Sequence, residues 1–253
     1  MPSLFGYQLG GSPAAIAEPQ PTVKKTPIRA LPAPWYTLQE FYEFERRAIF
    51  SRRWLFITHQ SRLSTAGDFL RYSIAGFDVI VVRDRKNQIN AFHNVCRHRA
   101  YPFVEKQEGN AKIFACRYHG WSYGLDGRLA KAPDYDVLED FRKDENGLLP
   151  IHLRIDTLGF IWINLDSSTI PEVPWEEQFL DVDKQERFEN FNFDNYVLDH
   201  TYTLDGRFNW KILADNFNEC YHCKTTSVKV DQLLSIRITN PRQTSRCSVI
   251  HDH

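Results

Sequence analysis

The feature that most constrains this chain is a pair of short segments that each contain one cysteine and one histidine. The first runs from Cys96 to His98 as C-x-H, and the second runs from Cys116 to His119 as C-x-x-H followed by Gly and Trp. Seventeen residues separate the two segments. Thiolates and imidazoles are metal-binding donors, and these four can act together only in a fold that brings both segments to one place.

The donor set of Cys96, His98, Cys116 and His119 matches a Rieske [2Fe–2S] centre, in which the cysteines hold one iron and the histidines hold the other. Neutral imidazoles in place of two thiolates remove negative charge from the cluster, which raises its reduction potential above that of an all-cysteine ferredoxin. Each segment supplies one cysteine and one histidine, as a cluster of two unlike irons requires. The sequence therefore predicts a [2Fe–2S] cluster bound by these four residues.

Gly120 and Trp121 follow the second segment directly. Because glycine has no Cβ, the backbone at this point can pass close to an inorganic sulfur without a clash. We expect Trp121 to pack over the two segments and to limit their contact with water.

A structural zinc site is the main alternative, since two cysteines and two histidines also suit tetrahedral Zn²⁺. Classical zinc fingers pair cysteine with cysteine and histidine with histidine, whereas each segment here mixes the two. A Rieske protein of the bc1 type would carry an extra cysteine beside each ligand pair to form a disulfide between the loops. Residues 98–101 and 117–120 contain no cysteine, which argues against that type.

Composition indicates a globular protein without an evident nucleic-acid or membrane partner. The chain has 253 residues, of which 42% are hydrophobic and 14% aromatic, enough for one large or two modest domains. Its formal net charge of −1 gives no sign of nucleic-acid binding, and no apolar run approaches the roughly 18 residues of a membrane span. Five cysteines in a chain of this length do not make a disulfide framework. We therefore expect a cytoplasmic protein.

The first two segments of the chain precede the cysteine and histidine pattern. Residues 1–35 are rich in proline and alanine and are predicted to form a flexible arm, with an organelle transit peptide as the alternative. Residues 36–53 are predicted to form an N-terminal helix that begins at a capping box from Thr37 and ends near Ser51.

Residues 54–166 contain a series of short apolar runs separated by turn signals, including Gly76 and the pair Asp126-Gly127. This pattern predicts a small antiparallel β domain that carries the four ligands at the tips of two loops. Beyond a proline-marked linker, residues 196–204 are predicted to form a strand. Residues 209–221 are predicted to be a strand edge that turns into a helix.

A second motif reads N-W-K at residues 209–211 and, three residues later, D-N-F-N-E-C-Y-H-C. Here the chain resembles the large (alpha) subunit of Rieske non-haem iron oxygenases, the ring-hydroxylating oxygenases. In that family a helix after N-W-K carries an acid and two histidines, and a downstream aspartate completes a 2-His-1-carboxylate Fe(II) site. The resemblance matches His222 to the first iron histidine and Glu219 to the acid that couples this site to the Rieske cluster of a neighbouring subunit.

The resemblance implies an α+β fold: a small antiparallel β Rieske domain at residues 54–166, followed by the incomplete start of a helix-grip-like catalytic domain at residues 167–226. It also implies two cofactors, a [2Fe–2S] cluster and a mononuclear Fe(II). A ferredoxin or flavin reductase would supply electrons, and O2 would be used to hydroxylate a small-molecule substrate. Family members are commonly homotrimers.

The chain departs from the family pattern at Ser227, where the second iron histidine is expected. Residues 227–253 form an atypical tail that does not resemble the family. From this departure we expect a C-terminally truncated gene product, which holds the mononuclear iron poorly and has doubtful catalytic activity.

The segment N-E-C-Y-H-C around His222 most resembles choline monooxygenase-type and carnitine-type oxygenases, which act on quaternary ammonium compounds. The resemblance therefore implies a choline-like substrate, with choline converted to betaine aldehyde in glycine betaine synthesis. Two alternatives remain: the alpha subunit of an aromatic ring-hydroxylating dioxygenase, and a non-catalytic Rieske electron-transfer protein.

Overall fold

The computed structural model of the chain describes residues 30–135, 137–201 and 206–218. Its described part consists of short helices and short strands. In chain order these are α1 Pro34–Thr37, α2 Gln39–Glu45, β1 Trp54–His59, β2 Asp68–Ile74, β3 Phe77–Arg83, β4 Ile89–His93, β5 Glu108–Asn110, β6 Phe114–Ala115, β7 Ser122–Tyr123, β8 Leu129–Lys131, β9 His152–Ile155, β10 Phe160–Asn164, α3 Trp175–Gln178 and α4 Trp210–Asn218. A π-helical turn, Arg46–Phe50, continues α2. None of the helices within these residues has the length and apolar character needed to cross a membrane.

Three antiparallel sheets build the β part of the molecule. Their strand orders are β1-β10-β9, β4-β3-β2-β5 and β6-β7-β8, and neighbouring strands are antiparallel throughout. The predicted antiparallel β domain, followed by a helical segment in an α+β arrangement, is thereby confirmed. The short strand β5 has no counterpart among the predicted strands.

Strand β3 lies between the two main hydrophobic cores. Val79 and Val81 point into the core shared with the β1-β10-β9 sheet, whereas Ile80 and Val82 point into the core shared with the third sheet. All four side chains are 0% exposed, and burial of each contributes about 1.5–3 kcal/mol. The core that contains Ile80 and Val82 also contains the two cysteines of the ligand segments. The central sheet is therefore the base on which the candidate site is built.

The predicted turn at Gly76 is confirmed. Strands β2 and β3 form a hairpin in which Ile74 pairs with Phe77, so its loop has two residues, Ala75 and Gly76. Their φ angles are 48° and 78°. Two-residue hairpin loops favour positive φ at both positions because their twist then matches that of the strands.

The capping box predicted at Thr37 is wrong, although the helical segment itself is present. Helix α1 begins earlier, with Pro34 in its first turn, and Leu38 adopts an extended conformation that separates α1 from α2. The Thr37 hydroxyl donates to the backbone oxygen of Ala33 at 3.1 Å, and the residue at the N-cap of α2 is Leu38, which makes no side-chain cap hydrogen bond. The predicted end near Ser51 is confirmed, because Ser51 is the C-terminal cap of the π-helical turn.

The strand predicted from residue 196 is wrong for residues 196–201, which are irregular; residues 202–204 lie outside the described part. The apolar side chain of Val197 is 90% exposed, and no strand in the described residues pairs with this segment. Apolar residues alone do not form a strand without a partner for the backbone hydrogen bonds. The predicted helix after Asn209 is confirmed as α4, but the strand edge predicted at the start of this segment is wrong, because the helix begins at Trp210.

A buried ion pair joins the N-terminal helices to α4. Lys211 Nζ donates to Glu45 Oε1 at 2.5 Å, and the two side chains are 9% and 3% exposed. Trp210 Nε1 donates to the other carboxylate oxygen of Glu45 at 2.8 Å. Asn209 Oδ1 accepts from Lys211 Nζ at 2.7 Å and from the Lys211 backbone nitrogen at 3.1 Å. The N-W-K segment therefore links α4 to α2 through an ion pair and hydrogen bonds.

We expect Glu45→Ala to lower the free energy of unfolding by about 3–5 kcal/mol, because the Lys211 ammonium would then be buried without an opposite charge. Urea unfolding followed by tryptophan fluorescence measures this loss. Replacing both partners, Glu45→Met with Lys211→Met, should recover most of the stability, since no unpaired charge remains.

Glu43→Ala is the matched control on the same helix, because the side chains of Glu43 and Arg46 pair where both are partly open to solvent and such pairs contribute less than buried ones. A double variant as unstable as Glu45→Ala, or an equal loss in Glu43→Ala, would contradict this account of the ion pair.

Candidate metal centre

The first ligand loop follows β4 and contains Cys96 and His98. The backbone nitrogen of Cys96 donates to Tyr101 O at 2.9 Å, and Ala100 N donates to Cys96 O at 2.9 Å. Ala100 has φ 53°, in the left-handed region where a side chain crowds the backbone. The segment is therefore a tight reverse turn that is closed by hydrogen bonds around Cys96.

The second ligand loop joins β6 to β7 and repeats this geometry. Cys116 N donates to Trp121 O at 2.8 Å, and Gly120 N donates to Cys116 O at 2.9 Å. Gly120, the counterpart of Ala100, has φ 74°. A Cβ at this position would meet Pro133 Cγ at 3.4 Å, an ordinary contact. The left-handed backbone conformation favours glycine at this position, although alanine adopts a similar one at residue 100. The close approach to a cluster sulfur stays a prediction.

The two loops bring the four predicted ligands together. Cys96 and Cys116 are 2% and 3% exposed and lie in the same hydrophobic cluster, where Cys96 raises the pKa of the Cys116 thiol. The ring centroids of His98 and His119 lie 4.5 Å apart. No three or more His, Cys, Asp or Glu among the described residues surround a single metal position. A Rieske cluster does not require that, since each of its irons takes two protein ligands.

His98 allows a test of whether the loops suit a metal cluster. Its Nδ1 is buried and has no hydrogen-bond partner within the described part of the chain. A buried nitrogen of this kind is normally paired, and an iron ligand bond would satisfy it. Burial lowers the pKa of His98, and the nearby His119 and Arg99 lower it further. The neutral imidazole that results is the form that binds metals, so His98 fits the cluster.

The cysteines fit a metal cluster for a related reason. Burial raises the pKa of the Cys116 thiol, and the adjacent Cys96 raises it further. Two thiolates held side by side would repel each other in this core. A bound cation removes that repulsion and deprotonates its thiol ligands. The two adjacent cysteines are therefore suited to hold one iron as thiolates.

Tyr123 is a residue of the site that sequence reasoning missed. Its side chain is fully buried, and its hydroxyl oxygen accepts from the Arg97 backbone nitrogen at 3.0 Å and lies 3.2 Å from Cys96 Sγ. Burial raises the pKa of Tyr123, and Cys96 raises it further, so the hydroxyl stays protonated and can donate to the sulfur. The available signal was its position in β7, two residues after Trp121.

The prediction that Trp121 packs over the ligand segments is confirmed. The indole is buried and stacks on the His98 ring, with centroids 5.1 Å apart and planes 8° apart. It covers one face of this imidazole. His119, in contrast, is exposed.

The residues predicted for a second, mononuclear iron site lie outside the described residues. Helix α4 ends at Asn218, directly before Glu219, and His222 and Ser227 follow further along the chain. Their assignment therefore rests on the sequence.

Two family models match the chain. Residues 53–142 match the Rieske [2Fe-2S] domain, and residues 193–227 match the catalytic domain of the ring hydroxylating alpha subunit. The first match contains both ligand loops. The second contains the N-W-K segment, Glu219 and His222.

Two curated proteins and one solved structure place these matches in a family. The chain is 32% identical over 209 residues to the carnitine monooxygenase oxygenase subunit of Escherichia coli (strain K12), covering 80% of this chain and 54% of the relative. It is 34% identical over 194 residues to the glycine betaine monooxygenase oxygenase subunit of Pseudomonas aeruginosa (strain UCBPP-PA14), covering 77% of this chain and 44% of the relative.

The apo form of a quaternary ammonium Rieske monooxygenase, CntA, is similar in structure. The TM-score is 0.70 at 29% sequence identity, over 77% of this chain and 55% of that chain. The present chain thus spans about half the length of the proteins that it matches. With a Rieske domain followed by part of a ring-hydroxylating catalytic domain, it belongs to the family of Rieske oxygenase alpha subunits.

Proposed function

We propose that this chain corresponds to the cluster-bearing part of the oxygenase component of a quaternary ammonium monooxygenase, and that its Rieske cluster accepts electrons from a reductase. The observation that carries this proposal is the buried Nδ1 of His98, which has no partner in the described residues and lies in a pair of matched loops with three further metal donors. The names of the relatives, carnitine and glycine betaine monooxygenase subunits, supply the substrate class.

Within the Rieske domain, Cys96 and Cys116 would hold one iron, and His98 and His119 would hold the other. When bound, a [2Fe–2S] cluster accepts and passes on single electrons. With Cys96 bound as a thiolate, the Tyr123 hydroxyl, 3.2 Å from Sγ, would donate to the sulfur, which would withdraw charge from the thiolate and favour the reduced state. The exposed ring of His119 offers an edge that a redox partner can approach. A ferredoxin or flavin reductase is the proposed partner.

Hydroxylation needs the second, mononuclear iron, for which the resemblance offers His222 as a ligand and Glu219 as the coupling acid. A serine hydroxyl at Ser227 is a poor substitute for the imidazole that Fe(II) favours. We therefore propose that this chain holds the mononuclear iron weakly. Electron acceptance by the Rieske cluster is the activity that the chain itself keeps.

The proposed substrate class is quaternary ammonium compounds, and choline, which would yield betaine aldehyde, is the specific hypothesis. A trimethylammonium group is usually recognised by an aromatic cage through cation–π attraction. An aromatic hydrocarbon is the alternative substrate. In the family arrangement, a homotrimer would bring the cluster of one subunit to the mononuclear iron of the next.

We expect Cys116→Ser to abolish the cluster, because a serine oxygen replaces the soft thiolate that iron–sulfur clusters require. The wild-type chain should contain about two irons and two acid-labile sulfides and should give a Rieske-type EPR signal after dithionite reduction. Tyr118→Phe, a change in the same loop that removes no ligand, should keep both. A signal that survives in Cys116→Ser would contradict the ligand assignment, and zinc in place of iron would favour the structural zinc alternative.

We expect His222→Ala to leave the iron content and the EPR signal unchanged, because Ser227 deprives the mononuclear site of its second imidazole. The same iron and sulfide analysis measures this. A third iron per wild-type chain that disappears in His222→Ala would show that the chain retains the mononuclear site.

Mixing the oxidised protein with NADH and a ferredoxin or flavin reductase should bleach the visible absorbance of the cluster, because the His119 edge is open to a partner. Stopped-flow absorbance follows this reaction, and Cys116→Ser should show no bleaching. Added choline, carnitine or glycine betaine should yield no hydroxylated product above background. Sustained hydroxylation would overturn the proposed loss of the mononuclear iron, and the compound hydroxylated would identify the substrate class.

A further inference from the structure

The two histidines of the candidate centre have unlike surroundings. His98 is half-buried; its ring stacks on Trp121 and meets the ring of Tyr135 edge-on at 5.4 Å. His119 is exposed, and its ring contacts Tyr118 with centroids 3.9 Å apart. The pseudo-symmetry of the loop backbones therefore does not extend to the side chains around the two imidazoles.

Tyr135 reaches His98 from the loop that follows β8. Its backbone nitrogen donates to Ala132 O at 3.1 Å, which closes a turn. Its ring packs edge-on against Trp121 at 5.3 Å and, tilted, against Phe141 at 5.5 Å. These contacts hold the Tyr135 hydroxyl 3.3 Å from Nε2 of His98.

The positions of the two ring nitrogens define the direction of this hydrogen bond. The buried, unpartnered nitrogen of His98 is Nδ1, which is therefore the atom suited to bind iron. A neutral imidazole that binds a metal through one nitrogen carries its hydrogen on the other. Nε2–H then donates, and the hydroxyl oxygen of Tyr135 accepts.

We propose that Tyr135 is a positioning residue for His98, whose hydroxyl fixes the orientation of the imidazole and strengthens it as an iron ligand. An acceptor on the outer N–H raises the basicity of a metal-bound imidazole. A more basic ligand stabilises the oxidised iron, so Tyr135 lowers the reduction potential of the centre. The proposal rests on the proposed Rieske cluster and adds a residue that tunes one side of it.

Tyr135→Phe removes the hydroxyl and keeps the ring against Trp121. At a fixed applied potential, we expect the ratio of reduced to oxidised cluster to rise about threefold to tenfold, a shift of about 30–60 mV at 59 mV per tenfold for one electron. A redox titration of the full chain followed by EPR measures this ratio. Tyr118→Phe is the matched control beside the other histidine, where the contact is between rings, and its potential should equal that of the wild type.

A second readout covers the case in which Tyr135→Phe loads its cluster poorly. Loss of an outer hydrogen bond typically weakens metal binding 10–100-fold, so iron should pass to a chelator about tenfold faster or more from Tyr135→Phe than from Tyr118→Phe. Circular dichroism confirms that both variants are folded. If Tyr135→Phe is folded but binds little cluster, while Tyr118→Phe binds a normal amount, the result supports the positioning role of Tyr135.

An unchanged or lowered potential in a normally loaded Tyr135→Phe would overturn the role of Tyr135 and leave the proposed function intact. Absence of a Rieske signal from the wild-type chain would instead contradict the proposed function itself. The two failures are thus separated by the spectrum of the wild-type protein.

Discussion

The structure depends on the burial of two cysteines in one hydrophobic core. Cys96 and Cys116 lie next to each other below the surface, and each closes its loop through backbone hydrogen bonds. A neutral cysteine behaves as a small apolar residue, so this core can close around protonated thiols. Iron binding must then release the proton of the Cys116 thiol, which its raised pKa opposes. The same buried core therefore supports both ligand loops.

The contact between α2 and α4 depends on a buried ion pair and hydrogen bonds. A buried ion pair gains little net stability after desolvation, but Glu45 accepts from both Trp210 and Lys211, and this set of bonds allows one relative position of the two helices. The ring of Tyr36 also faces the Lys211 ammonium at 5.6 Å. An apolar contact alone would allow the two helices to slide past each other. The described part of α4 reaches Asn218, directly before Glu219 in the sequence.

The sequence could predict those features whose residues form a pattern within a short stretch of the chain. Metal chemistry restricts its ligands to a few residue types, so the four donors were visible as a pattern, and alternating apolar runs showed most of the strands. The role of Glu45 was hidden because its partner lies 166 residues away. Tyr123 looked like any apolar strand residue, since its role depends on a sulfur 27 positions earlier. Thr37 matched a capping box, but its hydroxyl bonded to its own helix, a choice that no sequence pattern decides.

The residues proposed for electron acceptance and those proposed for hydroxylation lie in different parts of the chain. The ligands of the cluster, the tyrosine at its sulfur and the rings around His98 all lie within residues 96–141, inside the match to the Rieske domain. The residues proposed for a mononuclear site, Glu219 and His222, lie outside this range. The proposed acceptance of electrons therefore depends on the two ligand loops and the core beneath them, and none of the described contacts around these loops involves Glu219, His222 or Ser227.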